Sequence, residues 1–557
     1  MIASRIYRSL PGQFRRRSLW VSASIMLSSL LDLVGIATLF PLLVLIAKPE
    51  AAMENAVFLK VYHTLGVADL RSFTIITGFA VVGVLIIKNL LTAVLNHGRT
   101  RYLTRLYNYF ADKLFSIYYS RGLLFIKQRN TSDLTYNISS QCYNYVWGLM
   151  LPLLSMLGGI IIIVVMLTVF LVISPKATLL LMVCIIPIGL LYTTITRQRI
   201  EEYGREDFRA RREQMRSVLQ ALRAYPEVEI AGAFTAIQAR FRSNLEKISR
   251  NRLRYEDITR VPSGVMEAGI ALCIVLMLVV NPSNMLVTLT LFGFAAIRML
   301  PAMRQLISGW STIKQNSHTL EVVAEVEQAR QSPAAEQKPV TFDKSIEIRD
   351  LHFSYDGSKE VIDGLSFTIN KGDRLAIKGH SGAGKSTLLN ILLGFYPPAG
   401  GSVRVDGVKL DDSTGNSWRG MVGYVPQEVY LLEGSLAENI ALGVPTENID
   451  REKIARVLEQ VQLTVKAASL PEGADTLLGE NGCRLSGGER QRVGIARALY
   501  KDVRVLFFDE ATSAVDRKTE RLIGESLQEL TSRMPELTII AVSHRDLPFC
   551  DRELVIE

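Results

Sequence analysis

Six apolar stretches, each long enough to cross a bilayer, restrict what this chain can become more than any other feature. They run over Leu19 to Ala47, Phe73 to Leu95, Val146 to Ile173, Ala177 to Ile195, Val261 to Val280 and Met285 to Ile307, and a spanning helix needs about 20 residues of this character. Hydrocarbon offers the backbone no hydrogen-bond partner, so these stretches are expected as α-helices that satisfy their own peptide groups. The remainder of the chain has the composition of a water-soluble α/β domain. The expected division is a membrane part over residues 1–310, a linker over 311–344 that is rich in Gln, Ala and Pro toward its end, and an α/β domain over 345–557.

The formal net charge is +9, which in a soluble protein would suggest a nucleic-acid partner. Here the basic residues concentrate between the apolar stretches: Arg5, Arg8, Arg15, Arg16 and Arg17 at the start, the segment from about 96 to 145, and that from about 196 to 260. The intervening turns Ser174-Pro-Lys and Asn281-Pro-Ser-Asn are poor in them. By the positive-inside rule both termini are cytoplasmic and no nucleic acid is expected. The expected location is the bacterial cytoplasmic (inner) membrane, multi-pass, with the α/β domain in the cytoplasm. The first apolar run is too long for a cleavable signal peptide and is followed by five more. Cys142, Cys184, Cys273, Cys483 and Cys550 form neither a disulfide framework nor a metal-ligand spacing.

The polar segments after the second and fourth apolar stretches are nearly free of Pro and Gly. They read as membrane helices continued into the cytoplasm, where about 25 residues reach roughly 35 Å. At their far turns, Phe125 to Leu134 and Arg223 to Thr235 are either transverse segments that press on the α/β domain or plain hairpins.

Within the α/β domain, Gly379-His-Ser-Gly-Ala-Gly-Lys-Ser386 follows the strand-like Arg374 to Lys378 and opens the helical pattern from Thr387 to Leu393. This is the context of a phosphate-binding loop. The residues expected to bind nucleotide are Gly379, His380, Ser381, Gly382, Ala383, Gly384, Lys385, Ser386 and Thr387. Backbone N–H groups curl around the phosphates, Lys385 neutralises the β and γ oxygens, and the Ser386 hydroxyl coordinates Mg²⁺. About a hundred residues on, Leu485-Ser-Gly-Gly-Glu-Arg-Gln-Arg492 sets Ser486, Gly487 and Gly488 at the start of a helix, aiming free N–H groups at an anion. The apolar run Val503 to Phe508 ends in Asp509-Glu510. Asp509 is expected to hold Mg²⁺ and Glu510 to orient and deprotonate the attacking water. A second strand, Leu537 to Val542, brings Ser543-His544 to the same edge, with His544 expected at the γ-phosphate.

In this order the motifs resemble the ATPase of ABC exporters from about residue 345 onward. The resemblance implies an α-helical six-span membrane domain joined to an α/β P-loop ATPase, with ATP and Mg²⁺ as nucleotide and cofactor. It also assigns Tyr355 to stacking on adenine, Gln427 to linking Mg²⁺ with the membrane part, Ser513-Ala-Val-Asp516 to the dimer crossing, and Glu480 to sensing of the membrane domain. Two features depart from the usual pattern: Asn481 stands where Arg is common, and the chain stops at Leu554-Val-Ile-Glu557, where relatives continue, so shortened last strands are expected. The Ser-Gly-Gly element does not reach its own domain's phosphate loop in this architecture. Lys385, Glu510 and His544 of one copy would therefore face Ser486, Gly487 and Gly488 of a second. One chain supplies six spans and one ATPase, so a homodimer completes an exporter; a heterodimer is the other arrangement.

Asp32, Lys88, Glu267 and Arg298 lie inside the apolar stretches, where ionisable residues are costly and face a cavity or a partner. Either they form structural ion pairs, or Lys88 and Arg298 offer positive charge to an anionic head group at inner-leaflet depth. Asp32-Leu-Val-Gly-Ile-Ala-Thr-Leu-Phe-Pro41, Val261-Pro with Met266-Glu-Ala-Gly, and Ala296-Ile-Arg-Met-Leu-Pro301 look like the flippases of lipid-linked oligosaccharides. The stretch Val57 to Leu65 would then be a short amphipathic helix at the outer face. The expected partners are the bilayer, an amphipathic or lipid-linked substrate and a second copy of the chain. Export of drugs, simple lipids or peptides is the competing reading.

Overall fold

The computed structural model describes residues 6–8, 10–38, 42, 45–46, 56–65, 69–173, 175–280, 285–331, 336–479, 482–510, 517–543, 547 and 549–556. The chain divides into two units, one drawn mainly from residues 1–332 and the other mainly from residues 333–557.

In the first unit the apolar stretches fall on six long helices: α1 (Gly12–Ala37), α2 (Leu70–Ser120), α3 (Leu151–Ile173), α4 (Pro175–Arg223), α5 (Phe234–Val280) and α6 (Met285–Gln315). The first stretch lies on α1 as far as Ala37, and most of its remainder falls outside the described residues. Among the described residues, the helical runs Gly12–Gly35, Leu70–Ser120 and Thr131–Val172 are long and apolar enough to cross a membrane. Helix α2 is one rod of 51 residues, about 75 Å at 1.5 Å per residue. Its first half exposes Phe79, Ile87, Leu90 and Val94, side chains that lipid or another apolar protein surface would cover favourably. Its second half buries Leu103, Leu106, Phe110 and Leu114, spaced three or four apart, against Tyr145, Val146 and Leu149. One helix thus belongs to two solvents, and the expected cytoplasmic extension is continuous with the span. Short helices Gly122–Gln128 and Tyr225–Ile230 occupy the far turns, and Ala56–Leu65 is helical where the amphipathic segment was expected.

Helix α4 packs along α5, and α3 along α6. Where α4 meets α6, a Cβ on Gly204 would lie 2.0 Å from the Gln315 carbonyl oxygen, so only glycine permits this approach. Ahead of α3, the helical run from Thr131 is widened by two π-turns, Asn137–Gln141 and Val146–Met150.

Among the described residues the second unit contains nine strands: β1 (Ser345–Ser354), β2 (Glu360–Asn370), β3 (Arg374–Gly379), β4 (Gly400–Val405), β5 (Val408–Lys409), β6 (Val422–Val425), β7 (Val505–Asp509), β8 (Thr538–Val542) and β9 (Arg552–Ile556). An antiparallel sheet has the order β2-β1-β4-β5, and a second sheet, parallel throughout, the order β6-β7-β8-β3-β9. Every residue of β7 and β8 is buried, as parallel strands covered on both faces require. The chain's last residues, where shortened strands were expected, form β9 and pair with β3 from Leu375 to Gly379.

The segment 311–344 is packed at both ends. Val322, Val323 and Val326 on helix Thr319–Gln331 enter the core of the first unit. Val340 and Phe342 enter that of the second, where the Phe342 ring lies 6.1 Å from Trp418.

Candidate nucleotide site

The carboxyl ends of β6, β7, β8 and β3 lie side by side on the parallel sheet, the edge where ligands bind in folds of this kind. The loop after β3 leads into α7 (Lys385–Leu392). Its Gly384 adopts φ 89°, and a Cβ there would stand 2.9 Å from the Val361 carbonyl oxygen, so a side chain is excluded twice over. Lys385 is 5% exposed and folds back over the loop, its Nζ donating to the carbonyl oxygens of Gly379 at 3.0 Å and His380 at 2.9 Å. The ammonium and the helix amino end therefore lie together at one loop, suited to an anion.

Ser386 Oγ donates to Asp509 Oδ1 at 3.1 Å, across from β3 to the end of β7. Asp509 is 8% exposed. The next residue, Glu510, has φ 47°, a conformation costly for a residue with a side chain. Its N–H donates to the Val542 carbonyl at 3.1 Å, which ties the kink to β8. Its carboxylate accepts from Gln427 Nε2 at 3.2 Å, and Gln491 Nε2 reaches the Gln427 carbonyl at 3.4 Å. The Ser386 hydroxyl and the Asp509 carboxylate thus meet directly, and Gln427, held by Glu510 on the neighbouring position, adds a side-chain amide nearby. Such hard oxygen donors fit Mg²⁺, which is held by one or two carboxylates together with substrate phosphates.

Tyr355, at the end of β1, is partly exposed. Its ring meets Phe353 and Tyr396 edge-on at 5.1 and 5.9 Å, and its hydroxyl shares a hydrogen bond of 2.8 Å with Thr387 Oγ1. Helix α8 (Gly487–Tyr500) starts from Ser486 in a capping box: Ser486 Oγ accepts from the Glu489 N–H at 3.3 Å, and Glu489 Oε2 from the Ser486 N–H at 2.7 Å. The N–H groups of Gly487 and Gly488 have no acceptor within the helix at these positions. Burial alone would raise the Glu489 pKa, but the hydrogen bonds from Ser486 and the charge of Lys466 bring it below the ordinary carboxylate range.

The structure therefore brings Lys385, Ser386, Gln427, Asp509 and Glu510 together. His544, Glu480, Asn481 and the segment Ser513 to Asp516 lie outside the described residues. Sequence reasoning missed Tyr424, on β6, whose hydroxyl approaches Asp509. Burial, then the Asp509 charge, pushes that phenol far above its ordinary pKa. Its placement follows from the parallel pairing of β6 with β7, which no local motif announces.

In the first unit, Lys88 Nζ lies 2.7 Å from Asp32 Oδ1, which joins α2 to α1, and Arg304 pairs with Glu267 between α6 and α5. Lys88 thus has a structural partner, Asp32 rather than Glu267. Arg298 lies on α6 and its side chain is outside the described residues.

Two family models match the chain, the ABC transporter transmembrane region over residues 28–292 and the ABC transporter over residues 362–513. The ATP-dependent lipid A-core flippase of Burkholderia pseudomallei (strain 1710b) is 35% identical over 300 residues, 52% of this chain and 49% of that protein. That of Paraburkholderia xenovorans (strain LB400) is 30% identical over 400 residues, 69% of this chain and 65% of that protein. The match thus spans about half the length of the Burkholderia relative and just under two thirds of the other. A solved structure of a bacterial Atm1-family ABC exporter with ATP bound superposes with a TM-score of 0.76 at 23% identity, covering 98% of this chain and 93% of that one; this likeness concerns the fold. The chain belongs to the ABC transporters, as a half-transporter of exporter fold that joins one transmembrane region to one ATPase domain.

Proposed function

We propose that the chain is an ATP-driven flippase of the bacterial inner membrane that works as a homodimer and moves a lipid-linked oligosaccharide outward from the inner leaflet. One observation carries the reading: Lys385, Ser386, Gln427, Asp509 and Glu510 converge at the edge of a parallel sheet in a chain that also holds the membrane helices. In this proposal Lys385 and the loop N–H groups bind the phosphates, and Tyr355 stacks on adenine. Glu510 takes the proton of the attacking water while Gln427 and His544 orient water and γ-phosphate. Ser386, Asp509 and Gln427 would hold Mg²⁺, which neutralises phosphate charge when bound. Ser486, Gly487 and Gly488 close the site of the second copy. Arg298 is kept as a candidate for an anionic head group, whereas the Asp32 pairing makes Lys88 a structural residue first.

The relatives named lipid A-core flippases favour a second reading, in which the cargo is a phosphorylated glycolipid of that type. Both cargoes join sugars to a membrane anchor. The test is ATP hydrolysis by the full chain in nanodiscs, titrated in turn with a lipid-linked oligosaccharide, a lipid A-core glycolipid, a hydrophobic drug and a peptide. Stimulation by the first is expected. Stimulation confined to the drug or the peptide would overturn the glycolipid proposal.

A further inference from the structure

Below the apolar stretches of the first unit, the π-widened run ahead of α3 joins α4, α5 and α6 around a cavity of about 820 Å³. Small-molecule sites occupy about 300–1,000 Å³ and are mostly apolar; this one departs from them in its lining. Among the described residues, no aliphatic side chain contributes to it. Its two arginines are matched by two acids: Arg211 Nε donates to Asp207 Oδ2 at 2.8 Å, and Arg252 lies 2.6 Å from Glu256. The formal charge is zero. The rest of the wall is tyrosine rings together with serine, threonine, asparagine and glutamine, groups that both donate and accept.

Such a lining selects against the alternatives. A lipid tail would find only tyrosine rings as apolar surface among the described lining, and a free phosphate or pyrophosphate only arginines already paired with acids. A neutral polyhydroxylated ring fits on both counts, because its hydroxyls need two-way partners and its C–H faces need aromatic surface. A second observation falls on the same wall. The two π-turns, Asn137–Gln141 and Val146–Met150, flank Tyr143 and Asn144, both of which line the cavity. Turns of this kind are rare and gather at functional sites. Tyr143 is about half exposed, with its ring 6.0 Å from that of Trp147.

We infer that this cavity receives neutral sugar rings of the transported glycolipid, an inference that rests on the flippase reading above. The experiment is saturation-transfer NMR on the full chain in nanodiscs, with a mixture of neutral hexose and N-acetylhexosamine trisaccharides as probe and Trp147 fluorescence as a second readout. Inorganic pyrophosphate and a zwitterionic tripeptide serve as competitors. Transfer to ring protons is expected in the wild type. It should fall about tenfold in Tyr143→Ala and in Ser308→Trp, which fills the cavity from α6, while melting temperature and basal ATP hydrolysis stay at wild-type values. Should Tyr143→Ala fold poorly, Ser308→Trp alone decides. Absence of transfer in the wild type, transfer unchanged in Ser308→Trp, or displacement by pyrophosphate or tripeptide would each overturn the inference. Glycolipid-stimulated ATP hydrolysis without trisaccharide binding would remove the sugar site and leave the flippase reading intact. Trisaccharide binding without glycolipid stimulation would do the reverse.

Discussion

Replacing Glu510 by Gln separates binding from chemistry more cleanly than any other single change in the ATPase domain. The substitution keeps the size of the side chain, the φ of 47° and the N–H bond to Val542, and it removes only charge and basicity. Loss of a general base costs roughly 10²–10⁴ in rate, about 2.7–5.5 kcal/mol in barrier height. Gln427→Ala removes one hydrogen bond of 3.2 Å to that carboxylate. A bond to a charged group is worth about 1.5–3 kcal/mol, or roughly 10–10² in rate. The expected order of turnover is therefore wild type, Gln427→Ala, then Glu510→Gln, with the fluorescent-nucleotide affinity of Glu510→Gln close to that of wild type. The assay is phosphate release by the full chain in nanodiscs. Turnover of Glu510→Gln within about threefold of wild type, a barrier change of only about 0.7 kcal/mol, would refute the role given to this carboxylate.

Co-assembly of Lys385→Ala and Ser486→Arg subunits should regain ATP hydrolysis that neither homodimer shows, since each mixed dimer keeps one undamaged site; activity in the Ser486→Arg homodimer would contradict sharing. Lys88→Gln removes the 2.7 Å ion pair to Asp32 and is expected to cost about 2 kcal/mol, below the about 3–5 kcal/mol for a fully buried pair, because Asp32 is about a third exposed. Adding Asp32→Asn should return most of that stability, as read by the melting temperature in nanodiscs. Asp133 accepts from Arg212 Nε at 2.9 Å and faces Arg216. Burial would raise its pKa, but hydrogen bonding and charge from the arginines outweigh this and hold it below the ordinary value. Its folded-state pKa lies below its unfolded one, so the pair stabilises fully above about pH 4 and its contribution fades as pH falls through the folded value. Wild type should therefore melt above Asp133→Asn at pH 7, with the gap closing in acid.

The spans and the phosphate loop were legible because each rests on a local rule: the length of an apolar run, and glycines at fixed spacing before Lys385 and Ser386. The place of Asp509 and Glu510 was also legible, since they end an apolar strand pattern that a parallel sheet brings to its carboxyl edge, whereas Gln427 was reached only through the family resemblance. Pairings set by tertiary geometry were not legible. Nothing near Lys88 points to Asp32, 56 positions earlier in the sequence, and Tyr424 gains its place from strand order alone. Packed residues inside the expected linker were hidden for a related reason. Val340 and Phe342 sit in a polar, Pro-containing stretch whose composition hides two core residues. The cavity below the spans escaped notice because its polar lining looks, in sequence, like any solvated helix face.

The most direct test of the account is transport itself. The full chain would be reconstituted into liposomes with a fluorescent lipid-linked oligosaccharide, and the fraction reaching the leaflet opposite the ATPase domain measured by a membrane-impermeant quencher or glycosidase. The account predicts movement that requires hydrolysable ATP with Mg²⁺ and is lost in Glu510→Gln. Movement at the same rate without nucleotide, or ATP hydrolysis at full rate with the glycolipid left in its original leaflet, would contradict it.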